Sequence, residues 1–292
     1  MKRTVRGFTK LLAKLTGRKN LEKLLIFSAK CINTNLLKHA QIQIGGSGDQ
    51  GSENSQESFI ENILPGFLND GAHTVLFDVG ANVGNYSLAL SNSFPEAAVY
   101  AFEPVKKTYE LLTRNTQGRN VKACNTGFSD KPGMGKFFNT ADGGDSEIAT
   151  LYKDVFAGVF KSGDEITSTE FALDTIDNFC KVNDIEAIDF LKIDVEGHEL
   201  FVLKGAKTMI ENDGVKVIQF EVNVHNVYSR VFLRDFYLAL ENFDFYRIVE
   251  NGLIKLGAYT PVNELFVHQN FMAVRKDLSK LIDPAFLYLL NS

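Results

Sequence analysis

One stretch constrains the fold of this chain more than any other: VLFDVGANVGNYS, residues 75–87. An apolar run closes on Asp78, a turn carrying Gly80 and Gly84 follows, and a helix is predicted from about Asn85. A strand that turns sharply into a helix is the opening of a βαβ unit and predicts an α/β fold with a parallel sheet. From His73 onward the pattern recurs. Strands are predicted at TVLFDVG, AVYAFEP, VKACNTGFS, DFLKIDV and VKVIQFEVN, with helices near 85–94, 105–116, 174–183 and 198–212. YRIVENGLIKLG and FMAVRK add further strands, the first with a hairpin turn at Asn251-Gly252.

Before this core the chain changes character. Residues 1–58 are expected to be a basic helical extension with a flexible linker, and residues 59–292 the main domain. Lys2, Arg3, Arg6, Lys10, Lys14, Arg18, Lys19, Lys23 and Lys30 are opposed only by Glu22, and leucines recur on one helical face. The expected structure is a helix packed on the domain with its lysines in water; the alternatives are a helix resting on an anionic membrane and a cleaved presequence. GGSGDQGSENSQES, residues 45–58, is a flexible connection, and Phe59, Ile60, Ile63, Leu64, Phe67 and Leu68 form the apolar face of a helix. Thr140 to Thr169 fit no regular element, as expected of a functional loop.

The charge balance of 31 basic and 36 acidic residues, net −5, argues against general nucleic-acid binding. Cys31, Cys124 and Cys180 have no metal-site spacing and are expected to be reduced thiols. No apolar run approaches the roughly 20 residues of a membrane span. The expected location is cytoplasmic, with membrane-surface contact the alternative for the basic N-terminus.

The glycine turn is similar to a dinucleotide fingerprint, but Asn82 replaces the second glycine and the third is missing. Pyrophosphate needs the close approach those glycines permit, whereas a cofactor without phosphate, such as S-adenosylmethionine, does not. Asp78 can organise the turn and face that cofactor's ammonium. Glu103, ending the second strand about 20 residues on, is positioned for ribose hydroxyls. Ser129 and Asp130 lie where an adenine edge could be read, or form an ordinary turn.

In FLKIDVEGHEL, residues 190–200, Asp194 ends the fourth strand at the edge where open α/β sheets bind ligands. Glu196, His198 and Glu199 crowd the next helix N-terminus; the helix dipole accounts for Glu199, and His198 is either a proton acceptor or a cap. Glu221 and Asn223 end the fifth strand. Acids and an amide there could also suit magnesium, a minority reading without a third clear ligand.

FDVGANVGNYS, AFEP, FSDKPG, LKIDVEGHE and HQNFMAVRK together resemble the FkbM family of S-adenosylmethionine-dependent methyltransferases, over residues 74–275. The resemblance implies a Rossmann-like, mostly parallel sheet with a final antiparallel strand, helices on both faces, and O-methylation of sugar or natural-product hydroxyls. It implies cofactor roles for Asp78, Gly80, Asn82 and Glu103, and active-site membership for Asp194, Glu196 and His198. The expected reaction is in-line methyl transfer to a small-molecule or glycan hydroxyl, with Asp194 or His198 as base and Glu221 orienting the acceptor. The competing readings are a nicotinamide-dependent oxidoreductase and a non-catalytic docking module.

Overall fold

The structure, a computed structural model, describes residues 40–42, 44–46, 55–68, 73–140, 152, 154, 166–250 and 252–287, with Lys19, Asn20, Lys23, Ile26 and Phe27. Contacts divide the chain into two units, Met1–Ile44 and Gly45–Ser292, and the architecture that follows is that of the second. Most of the predicted basic helix, most of the predicted linker and most of the 140–169 stretch lie outside the described residues.

In chain order the strands are β1 (Val75–Val79), β2 (Ala98–Phe102), β3 (Val121–Cys124), β4 (Gly127–Phe128), β5 (Gly133–Thr140), β6 (Ile166–Asp174), β7 (Ile188–Ile193), β8 (Val215–Val222), β9 (Phe243–Val249), β10 (Gly252–Leu256) and β11 (Gln269–Arg275). The helices are α1 (Asn85–Ser93), α2 (Lys106–Asn115), α3 (Ile176–Val182), α4 (Glu199–Gly205), α5 (Lys207–Glu211), α6 (His225–Ser229) and α7 (Leu233–Ala239). Eight strands form one sheet in the order β3-β2-β1-β7-β8-β11-β9-β10. From β3 to β8 every pairing is parallel, while β11 runs antiparallel to both β8 and β9. This is the expected Rossmann-like sheet. The order reverses beside β1, and the ends of β1, β7 and β8 face the same edge, where ligands of such sheets bind.

The central strands are buried along nearly their whole length because both faces are covered, so they read as apolar runs without alternation. On one face Leu76, Val99, Phe190, Val217 and Met272 meet Phe59, Ile60 and Ile63, Leu90 of α1 and Phe94 at its C-cap. On the other, Phe77, Tyr100 and Phe102 pack on Phe179 of α3, with Phe102 and Phe179 edge to face at 4.9 Å. The predicted apolar face of 59–68 is buried as expected, but its backbone is a π-helical turn followed by a 3-10 turn over Leu64–Gly66. Pro65, lacking an N–H, cannot continue an α-helical ladder there.

Four further predicted features differ. VKACNTGFS is two strands in two sheets, because the Asn125 side chain donates to the carbonyls of Glu103 and Pro104 and turns the chain off the main sheet. β4 then pairs with β6, and β6 with β5 in a long hairpin whose register runs out to Thr140↔Ile166. Both ends of the 140–169 stretch are therefore strand. The helix predicted over 198–212 divides at Ala206, and Asp177 of α3 accepts from the Thr208 and Met209 N–H groups to cap the second half. Gly252 pairs with Val249, so it belongs to β10 and not to the hairpin turn. Among the described residues no helix is long and apolar enough to cross a membrane, and Cys124 and Cys180 are free thiols.

Candidate active site

β1 delivers Asp78, fully buried, to the start of the glycine turn. Its Oδ2 accepts from the Ser87 hydroxyl of α1 at 2.6 Å, which ties the strand end to the helix that follows. The turn needs left-handed backbone at Gly80 (φ 84°), Asn82 (φ 49°) and Gly84 (φ 96°). Asn tolerates that region better than other non-glycine residues, which accounts for Asn82 in the fingerprint's second glycine position.

Four donors of this turn are used inside the protein. Gly80 and Ala81 donate to the carbonyl of Phe102, Gly84 to that of Ala81, and Asn82 to Oε2 of Glu103 at 3.1 Å. A pyrophosphate held in a glycine turn relies on such N–H groups. These four N–H groups are therefore not available to a pyrophosphate.

Glu103 has a second task beyond the one its position predicts. It is buried, and its other oxygen accepts from the Val105 N–H at 2.8 Å, so the carboxylate clamps two backbone segments at the mouth of the turn. Burial lifts its pKa to about 7 against the lowering effect of those two N–H bonds. Each oxygen keeps a further lone-pair direction, so a ribose hydroxyl is still compatible with this residue.

Glu199 is built the same way at the second turn. Its Oε1 accepts from the N–H groups of Val195 and Gly197, both at 3.0 Å, and the side chain is buried. The helix dipole alone does not describe it. Burial raises its pKa to about 8.

β7 carries the residue that the sequence reading gave no role. Lys192, only 5% exposed, places its ammonium 3.3 Å from Asp78 Oδ1 and 3.2 Å from Asp194 Oδ2, above the ring of Tyr86. Burial alone would lower its pKa, but the two carboxylates outweigh it and hold the lysine charged. A lysine inside the apolar run FLKI was the available signal, since a buried ammonium requires a partner. Beside it, the Tyr86 hydroxyl donates to Gln219, which in turn donates to Asn270.

The acids after β7 and β8 gather around two histidines that the sequence reading also left out. Oε2 of Glu196, a residue in left-handed backbone (φ 56°), lies 2.6 Å from His225 Nδ1. Asn223 bridges Glu196 at 3.3 Å and Glu221 at 2.5 Å, and Glu221 Oε2 meets His268 Nε2 at 2.8 Å. Burial, with the nearby charges of Glu221 and Asp194, raises the pKa of Glu196 well above the carboxylate range, while burial lowers that of His225. Burial also acts to lower His268, but the hydrogen bond and charge of Glu221 reverse the effect and raise it to about 9. His225 follows Asn223 by two positions, and His268 opens the HQNF run before β11.

His198 is placed elsewhere. Its Nε2 is 2.9 Å from the Ser129 hydroxyl, its Nδ1 is 3.4 Å from the Tyr152 hydroxyl, and its ring stacks on Phe201. Ser129 also donates to Asp130 at 3.1 Å. Burial lowers the His198 pKa to about 4, so the ring is neutral near pH 7. The structure thus groups His198 with Ser129 and Asp130, and Glu196 with Glu221. Among the described residues no set of three or more His, Cys, Asp or Glu side chains is arranged to hold a metal ion.

A family model described as the methyltransferase FkbM domain matches residues 78–247, more than half of the chain. Methyltransferase sdnD of Sordaria araneosa is 32% identical over 156 residues, covering 44% of this chain and 59% of that protein. Hexuronic acid methyltransferase AglP of Haloferax volcanii is 29% identical over 154 residues, covering 51% of this chain and 57% of that protein. The chain thus spans less than two thirds of the length of these relatives. Among solved structures, methyltransferase FkbM from Methylobacillus flagellatus aligns with a TM-score of 0.42 at 16% identity, covering 74% of this chain and 47% of that one.

Proposed function

This chain belongs to the methyltransferase FkbM domain family, and from that premise we propose that it moves the methyl group of S-adenosylmethionine to a hydroxyl oxygen of a sugar, glycan or natural-product-like acceptor. The observation that carries the reading is the glycine turn: four of its N–H groups are committed within the protein, with Asp78 at its start, paired with the buried Lys192, and Glu103 at its mouth. The cofactor supplies a methyl group already activated by its sulfonium charge. The turn of Gly80, Asn82 and Gly84, anchored from within by the fully buried Asp78 whose two oxygens meet Ser87 and Lys192, would shape the seat for its amino-acid part, Glu103 would hold its ribose, and Ser129, Asp130 and His198 its adenine.

Proton removal is assigned to Asp194. Its side chain is 29% exposed at the open edge, and its Oδ2 is fixed by Lys192. As the acceptor oxygen takes the methyl group that the bound cofactor would supply, Asp194 would receive the hydroxyl proton. His198 suits this task less well, because both ring nitrogens contact hydroxyl groups of the protein. Glu221, Asn223 and His268 stand beside Asp194 and would position the acceptor. The name of one relative, hexuronic acid methyltransferase, supports starting an acceptor screen with sugars.

The test is calorimetric titration with S-adenosylmethionine, followed by a methyl-transfer assay over a sugar panel. Asp194→Asn should still bind cofactor and lose at least about 100-fold in turnover, the scale of general-base catalysis. Undiminished turnover in that variant would remove Asp194 from the role, and absence of cofactor binding in the native chain would remove the reading itself.

A further inference from the structure

Asp78, Lys192 and Asp194 form a row of two carboxylates around one ammonium, linking the ends of β1 and β7. Asp78 is fully buried and Lys192 nearly so, while the Asp194 side chain is 29% exposed. The row carries one surplus negative charge, and only Asp194 can present it to a ligand at the sheet edge. The arrangement also meets the cost of burying a lysine, since both partners lie within ion-pair distance and an aromatic ring covers the ammonium.

We propose that Lys192 is a positioning residue that sets how strongly the site prefers the cationic sulfonium cofactor over its neutral thioether product. The inference rests on the S-adenosylmethionine reading above. Cofactor and product differ by a methyl group and one unit of charge. A unit charge several ångströms away in a partly buried site changes the affinity for a cation by roughly tenfold. Without Lys192 the fully buried Asp78 would take up a proton, and Asp194 would face the ligand with no ammonium beside it, holding the sulfonium ground state more tightly. The sulfonium charge fades as the methyl group leaves, so such tightening would oppose transfer. Lys192 weakens the pull of Asp194 on that charge from 3.2 Å away.

The experiment needs no acceptor. S-Adenosylmethionine and S-adenosylhomocysteine are titrated calorimetrically, at one pH and ionic strength, into the full chain and the variants Lys192→Met, Lys192→Arg and Asp194→Asn. Lys192→Met should widen the preference for the sulfonium roughly tenfold, Lys192→Arg should leave it within about twofold, and Asp194→Asn should narrow it roughly tenfold. Thermal unfolding checks that each variant is folded. Should Lys192→Met fail to fold, Lys192→Gln is titrated in its place, with the same widening expected. If both ligands weaken in parallel, with the ratio unchanged in Lys192→Met and Asp194→Asn, Lys192 is a packing residue and the proposal is wrong. If the native chain binds neither ligand, it is the cofactor reading that falls, and this inference with it.

Discussion

The backbone oxygen of Asp194 sits directly beneath Gly80: a Cβ built on that glycine would lie 1.8 Å from it. The two ligand-facing turns, one after β1 and one after β7, are therefore packed against each other with no room for a side chain. Gly80→Ala must move one of them and also hold a residue with a Cβ at φ 84°. The backbone strain alone costs about 1–3 kcal/mol. The expected outcome is a clear fall in denaturation midpoint together with loss of S-adenosylmethionine binding, read by chemical unfolding and calorimetry. An alanine variant of native stability and affinity would mean that the turns are not coupled through this contact.

Glu199 gives the stability a pH dependence of known sign. Its folded pKa of about 8 lies above the ordinary 4.5, so the folded state binds the proton more tightly than the unfolded one. Its contribution is complete below about pH 4.5 and is lost as pH rises toward 8. Glu199→Gln removes that titration while keeping the shape. The stability of the native chain relative to this variant should fall between these limits and level off above pH 8. Melting temperatures of the two proteins across pH 5–9 test this, and a constant difference would contradict it.

The pair formed by Glu221 and His268 predicts a different profile. Its partner raises His268 to about 9 from the ordinary 6.5, so the stabilisation is full below 6.5 and disappears as pH passes 9. Glu221→Gln should therefore destabilise most at low pH and converge on the native chain above pH 9. By NMR, the imidazole of His268 should titrate at lower pH in the variant. An unmoved titration would show that Glu221 does not hold that proton.

The amino-acid sequence by itself determined the order of strand, turn and helix, the parallel centre of the sheet, and which residues end its strands. These follow from local features: apolar runs long enough to be buried on both faces, and glycines where the backbone must turn back. Asp78, Glu103, Asp194 and Glu221 were legible for that reason, since the end of a strand in an open α/β sheet is the edge where ligands bind. The tertiary structure decided what each of them touches. β1 and β7 are neighbours only because the strand order reverses there, and that neighbourhood puts Lys192 between Asp78 and Asp194, far apart in the chain. β11 enters between β8 and β9, bringing His268 to Glu221, and β4 leaves the main sheet, bringing Ser129 to His198. Spacing along a chain carries a period and a turn, but not which distant segment fills the next place in a sheet. A charged side chain's role depends on that neighbour, because burial raises or lowers its proton affinity according to the partner it meets.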